Sequence, residues 1–367
     1  MDFLVRQLLI YAVPLMLVAL AGVYAERSGI INLALEGIMI FGAFMGVLFV
    51  YKVQEMGWFQ EAFNTVDGVL AQSRSEIKNL VVPNFGPDAV KALLSLQGFE
   101  LLAMLFAALC GGIFALLLAF AAINLKADQT IGGTALNLLA PALVLFFIRI
   151  IAQQNYLKMS GDAPDWFMLK KTMFGYAKNG EIGFFGSAFL DKVYIATYVC
   201  IILFIIMSII LYKTRFGMRM RSCGENPQAS ASLGINVVKM RYAGTVISGA
   251  LAGMGGFVYA LTTANCSSTG EVAGFGFLAL AVMIFGNWKP LNICGAAMLF
   301  GLFKCVAASY STLDINGDGI YWLDTLGINI SVYRMLPYVI TLIVLSFTSK
   351  SSRAPKAEGI PYDPGKR

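Results

Sequence analysis

The residues of this sequence that could do chemistry are few, and they are hydrogen-bonding rather than catalytic types. Asn32 and Glu36 stand four apart, so on a helix they share one face. Gln129, Thr130 and Asn137 follow Asp128 and flank Gly132 and Gly133, a pair that permits irregular backbone. Amides, hydroxyls and a lone carboxylate in apolar surroundings suit two jobs. They can line a path for a polar solute, or they can satisfy backbone groups and neighbouring helices where a helix starts or breaks. An ionisable group facing lipid costs several kcal/mol, so Glu36 must face protein or a watery path. The chain contains no histidine, which removes imidazole metal ligands, general bases and proton relays. The six cysteines show no paired spacing and fall mostly in apolar runs, as small buried hydrophobes do. Asp314 to Gly319 resembles the first half of a calcium loop, but Thr325 stands where the motif needs an acid, so no metal site is expected.

The elements that must position these residues are set by composition. Of 367 residues, 58% are hydrophobic and 13% charged, with mean hydropathy +0.73. Soluble domains carry about 25% charged residues, so this is an all-α polytopic membrane protein. Leu8 to Tyr24 is apolar and long enough to cross, and reads as a retained first helix even though Val23-Tyr24-Ala25 resembles a cleavage site. Gly42 and Gly46, and later Gly249, Gly253 and Gly256, give small-residue faces for close helix packing. Pro141 is placed to kink the span that Asp128 caps. Residues 51–98 carry balanced charges and are read as an outer segment, part of it (Trp58 to Leu80) an amphipathic surface helix, and 153–192 as a second outer loop. Lys304 is expected to snorkel from the outer part of its span. Phe275 to Phe285 is apolar but about half a span, bounded by Gly274 and Gly286, and reads as a broken or re-entrant helix. Met283-Ile284-Phe285-Gly286 echoes Met39-Ile40-Phe41-Gly42, a weak hint of an inverted repeat.

The strongest charge signal lies in residues 213–241. Lys213, Arg215, Arg219, Arg221, Lys239 and Arg241 face a single acid, Glu225, which places the loop on the cytoplasmic side. Asn226 and Pro227 read as cap and first-turn residue of a short helix that Gly234 ends. Such a helix suits docking onto a partner, and a solvated loop that only fixes topology explains the charge equally well. Residues 350–367 are also basic and are read as a cytoplasmic tail, leaving 1–349 as the transmembrane unit. Both basic segments on one side require about nine passes with the N-terminus outside.

The stretches AERSGIINLALEGIMIFGAF, KADQTIGGTALN, YKTRFGMRMRSCGENPQASASLGINVVKMRYAGTVISGALAGMGG and GFGFLALAVMIFGNWKP resemble permease subunits of ABC importers. Within the superfamily of ribose and branched-chain amino-acid permeases they are most similar to the nucleoside type that works with a basic-membrane-protein lipoprotein. The resemblance runs from Met1 to the tail GIPYDPGKR; the segment 51–98 departs from it by looking expanded. It implies a type II importer permease, without catalysis or cofactor, that forms a nucleoside path, with purine nucleosides foremost. Partner ATPase subunits would dock on Gly224, Glu225, Asn226, Pro227, Gln228, Ala229 and Gly234, a second homologous permease would complete the path, and an extracytoplasmic lipoprotein would deliver substrate. The sequence agrees in lacking GxxxxGK[ST], so it cannot itself cradle ATP phosphates. On this reading Asn32, Glu36, Gln129, Thr130, Asn137 and Asn265 are the substrate-path candidates. A permease for a simple sugar such as ribose or galactose is the alternative, an ion-coupled secondary transporter a weaker one, and a non-transporting membrane scaffold leaves the broken helices without a purpose.

Overall fold

The computed structural model describes residues 2–66, 68, 87–159, 166–171, 183–309, 329–348, 354–363 and 365. The calcium-like loop and most of the expected amphipathic stretch in the segment 51–98 lie outside these residues. Long apolar runs without internal backbone partners can cross lipid only as helices, and helices are what form. They are α1 (Asp2–Ser28), α2 (Leu35–Glu55), α3 (Pro87–Ile123), α4 (Gln129–Ala152), α5 (Gly183–Phe189), α6 (Ile195–Lys213), α7 (Arg215–Glu225), α8 (Pro227–Ser232), α9 (Val237–Thr262), α10 (Phe275–Phe285), α11 (Pro290–Ser309) and α12 (Ile330–Thr348). Seven of the described helices, α1, α2, α3, α4, α6, α9 and α11, are long and apolar enough to cross a membrane. The 11-residue α10 and the 19-residue α12 stand outside these seven.

The core is built where backbones touch. In lipid, helices gain by close packing, which small residues permit. At Gly253 of α9 a Cβ would lie 2.5 Å from the Ala107 carbonyl oxygen of α3, and one on Gly42 of α2 would lie 2.4 Å from the Gly253 Cα. Three helices therefore meet at one glycine. This bears out the small-residue faces read from Gly42, Gly249 and Gly253, and buries α1, α2 and α9 inside the bundle while α4 and α6 leave large apolar side chains such as Leu138, Phe146, Ile202 and Ile205 exposed.

Two-residue strands tie the loops at one end. Leu157–Lys158 pairs antiparallel with Ser267–Ser268, and Met168–Leu169 with Val193–Tyr194. Gln97 Nε2 of α3 donates to the Trp166 and Phe167 carbonyls, so residues 166–167 rest on α3. The basic loop lies at the opposite end, where α6 arrives and α9 leaves.

Candidate transport path and coupling site

Two helices of this bundle begin in its interior, each after a non-helical run. Residues 29–34 follow the basic-end terminus of α1 and lead into α2. Residues 269–274 follow the Ser267–Ser268 strand at the other end and lead into α10. The two starts meet. Glu36, in the first turn of α2, accepts hydrogen bonds from the backbone N–H of Gly274 at 3.0 Å, Gly276 at 2.6 Å and Phe277 at 3.2 Å. Gly274 has φ +72° and supplies no side-chain cap of its own. The carboxylate thus caps α10 from another helix, facing the positive end of its dipole. A Cβ at Gly276 would lie 2.4 Å from the Glu36 Cα, so glycine is required for the approach.

Other candidates hold the first break. Asn137 Oδ1 accepts from the Gly37 N–H at 2.8 Å while its Nδ2 donates to the Leu33 carbonyl at 2.7 Å. Gln129 Oε1 accepts from the Ile31 N–H at 2.7 Å, and its Nε2 is buried without a partner among the described residues. Asn32 Nδ2 donates to Ser248 Oγ of α9 at 2.9 Å, and its Oδ1 accepts from the Ala34 N–H. Asn32, Glu36, Gln129 and Asn137 therefore gather around the two breaks, bonded mainly to backbone. Thr130 is exposed in the first turn of α4, beside the Asp128 carboxylate that caps that helix as expected. Asn265 lies apart, exposed beyond α9 with φ +52°.

Lys304 departs from the snorkelling expectation. Its Nζ donates to the Ala273 carbonyl at 3.1 Å and lies 4.9 Å from the Phe275 ring centroid, so it packs over the α10 start near Glu36. The Met-Ile-Phe-Gly echo also resolves differently in the two places. Met39–Gly42 lies in the second turn of α2, whereas Met283–Gly286 closes α10, so the tetrapeptides do not occupy equivalent places.

At the basic end, α8 forms as the sequence predicts. Asn226 Oδ1 accepts from the Ala229 N–H at 3.0 Å, Pro227 takes the first turn, and Gly234, with φ +79°, follows the last. Sequence reasoning missed α7, whose Arg221 guanidinium lies 4.8 Å from the Tyr212 ring centroid. Gly224 packs on α1: its Cβ would lie 2.4 Å from the Arg27 carbonyl oxygen. Glu225 pairs with Arg27 Nη1 at 3.1 Å, and Gln228 Nε2 reaches the Asp363 carbonyl at 2.8 Å. Asn226, Ala229 and Gly234 are exposed, and so is Leu233, at 81%. Arg241, counted in the sequence with the cations of the basic loop, is not a loop-surface charge. It is 1% exposed, turned into the protein, and donates to the Ile360 carbonyl at 2.9 Å. Buried Glu26, also missed, accepts from the Trp288 indole N–H.

Known proteins similar to this chain are membrane permeases. Residues 4–345 match the family described as branched-chain amino acid transport system / permease component. The chain is 37% identical to the guanosine ABC transporter permease protein NupQ of Bacillus subtilis, covering 100% of this chain and 98% of that protein. It is 35% identical to the nucleoside ABC transporter permease protein NupC of Lactococcus lactis subsp. cremoris, over 99% and 97%. NupB, a second nucleoside permease protein of that strain, is 26% identical over 84% of this chain and 71% of its own length. No solved structure matches the chain.

Proposed function

The chain belongs to the permease-component family of branched-chain amino acid transport systems, and on that premise we propose that it forms part of the path of an ATP-driven nucleoside importer. It is a multi-pass membrane transport subunit rather than an enzyme. One observation carries the reading: two helices start in the interior from opposite ends of the bundle and are joined there by Glu36. Irregular backbone at such depth is tolerated where it is buried in protein or lines a cavity, and interior helix starts are how transporters build substrate sites. The relatives' names supply the substrate class, with guanosine the first to test.

Asn32, Glu36, Gln129 and Asn137 shape the path by holding its broken backbone. Asn265, exposed at the end opposite the basic loop, meets the substrate or its delivering protein, and Thr130, exposed at the basic end, meets the substrate as it leaves. ATP is hydrolysed by separate ATPase subunits, which dock on α8 and its neighbours from Gly224 to Gly234. The related nucleoside permease proteins of one Lactococcus strain support a second, non-identical permease as partner, and an extracytoplasmic lipoprotein delivers the nucleoside to the outer loops.

The test is uptake by proteoliposomes holding this chain, its ATPase and its second permease. ATP-dependent accumulation of labelled guanosine, competed by other purine nucleosides, is the expected result. Uptake of ribose or leucine without nucleoside would overturn the substrate, and uptake that survives loss of the ATPase but collapses with an uncoupler would overturn the energy source.

A further inference from the structure

Residues 354–363 of the tail lie on the basic end and touch the α7–α8 junction, α8, α9, the α3–α4 turn and the 29–34 break. The Ala357 N–H donates to the Gly224 carbonyl at 2.9 Å, at the junction of α7 and α8. The Asp363 carbonyl accepts from Gln228 of α8, and its carboxylate lies 3.6 Å from Lys126 Nζ in the turn between α3 and α4. The Ile360 carbonyl accepts from Arg241 near the start of α9. Gly359, with φ +74°, sits on the first break, where a Cβ would come 2.7 Å from Ile31 Cδ1. Pro355 and Ala357 are buried in this seat.

The seat covers charge. Arg241 is almost fully buried, yet among the described residues its Nε and Nη2 have no hydrogen-bond partner, and neither has Arg27 Nε or Glu358 Oε2. Glu26 and Glu358 lie close enough to repel, with Arg27 between them in charge. Partly satisfied charge clusters are costly to bury, and water would repay part of that cost on opening. A permanent structural seal would pair these groups; a segment that shifts with its neighbours need not.

We infer that residues 354–363 are a strap through which movement of α8 reaches α9, the α3–α4 turn and the 29–34 break. The inference rests on the reading of α8 as the ATPase docking helix. The strap bonds at once to the α7–α8 junction, to α8, to α9 and to the α3–α4 turn, mainly through backbone carbonyls and one N–H, so its register rather than its side chains carries the load.

The test uses the complete importer. Deletion of residues 354–367 is compared with the full chain for insertion, ATPase co-purification, and guanosine taken up per ATP hydrolysed. Uptake per ATP is expected to fall at least about tenfold while the ATPase still co-purifies. A ratio within about twofold of the full chain overturns the strap. So does loss of the ATPase, which would make the tail a docking surface instead. Should the deleted chain fail to accumulate, Ala357→Pro in the full-length chain removes the N–H that reaches Gly224 while leaving the rest of the tail in place, and is judged by the same thresholds. A Glu225→Ala, Asn226→Ala double variant separates the two readings. If it leaves uptake intact while the tail deletion abolishes coupling, the docking role of α8 fails and the strap with it. If it costs uptake and the deletion does not, the strap alone fails.

Discussion

Glu36→Gln tests whether the joint between the two interior helix starts holds the path together. The native carboxylate takes three N–H groups, two on Oε2 and one on Oε1. Glutamine can turn its carbonyl toward Gly276 and Phe277, but its NH2 then faces the Gly274 N–H, donor against donor. One charge-assisted bond, worth about 1.5–3 kcal/mol, is lost, and two others weaken to neutral bonds of about 0.5–1.5 kcal/mol. Burying an amide in place of a carboxylate returns part of this, which leaves a net loss of about 2–3 kcal/mol at the α2–α10 joint. That corresponds to about a 30- to 150-fold rise in the open population, which hydrogen exchange reads directly at the Gly276 and Phe277 amides. Uptake should fall with protection. Glu36→Asp should behave similarly, because a side chain one methylene shorter cannot reach all three donors from the same backbone. Unchanged protection and unchanged uptake in Glu36→Gln would refute the joint. Unchanged protection with a raised KM for guanosine would instead make Glu36 a direct substrate contact.

The remaining predictions follow from packing, exposure and charge. Gly253→Ala places a Cβ 2.5 Å from the Ala107 carbonyl oxygen, and should cost about 1–3 kcal/mol by overpacking, read as a lowered Tm of the detergent-purified chain. Leu233→Asp, at a position 81% exposed, should reduce ATPase co-purification while stability stays within about 0.5 kcal/mol. The Glu358 carboxyl, raised to about 7 by burial against the opposing pull of Arg27, sits well above the free value of about 4.3. A carboxyl raised by docking binds its proton in the docked state, so docking is fully favoured below the free value and weakens as pH rises toward about 7. Protection of the Ala357 amide, corrected for intrinsic exchange, should therefore fall from about pH 5 to about pH 7.5 and stay flat in Glu358→Gln.

Apolar run length, glycine spacing and cap chemistry made the helices, the half-length α10, the Asp128 cap and the Asn226-Pro227 start of α8 readable, because each depends on a few consecutive residues. Contacts between distant segments were not readable. Nothing near Gly274 in sequence announces that its cap comes from Glu36, 238 residues away. The polar candidates were visible as residues out of place, but not that Asn137 spends both ends of its amide on the 33–37 backbone. Arg241 was counted with the basic loop because charge patterning sees only sign; its burial depends on a tail more than a hundred residues on. Glu100 was missed, although a lone carboxylate opening an apolar run is the same signal that marked Glu36. It is 0% exposed and accepts from the Ala196 N–H at 3.1 Å.

The glycines at the basic end argue for a stiff transmission. At Gly224 the α7 backbone lies on the Arg27 carbonyl with no side chain between them, and the neighbouring Glu225 pairs with the Arg27 guanidinium. Backbone-to-backbone contact has no rotamers to absorb a displacement, so a push on α8 that moves Gly224 must move the end of α1 or part from it. The end of α1 leads within two residues into the 29–34 break, where Gly29 takes φ +97°. A shift there alters the entry of α2, and with it the position of Glu36 beneath α10. The α7–α8 junction, the first break and the second break thus form one chain of contacts that runs from the Arg27–Glu225 pair at one end to Glu36 at the other. Lengthening the first joint should uncouple the chain without unfolding the core: Gly224→Ala, which must displace the Arg27 carbonyl by about 1 Å to restore ordinary contact, is expected to preserve insertion and lower uptake per ATP. Full coupling in that variant would place the transmission elsewhere.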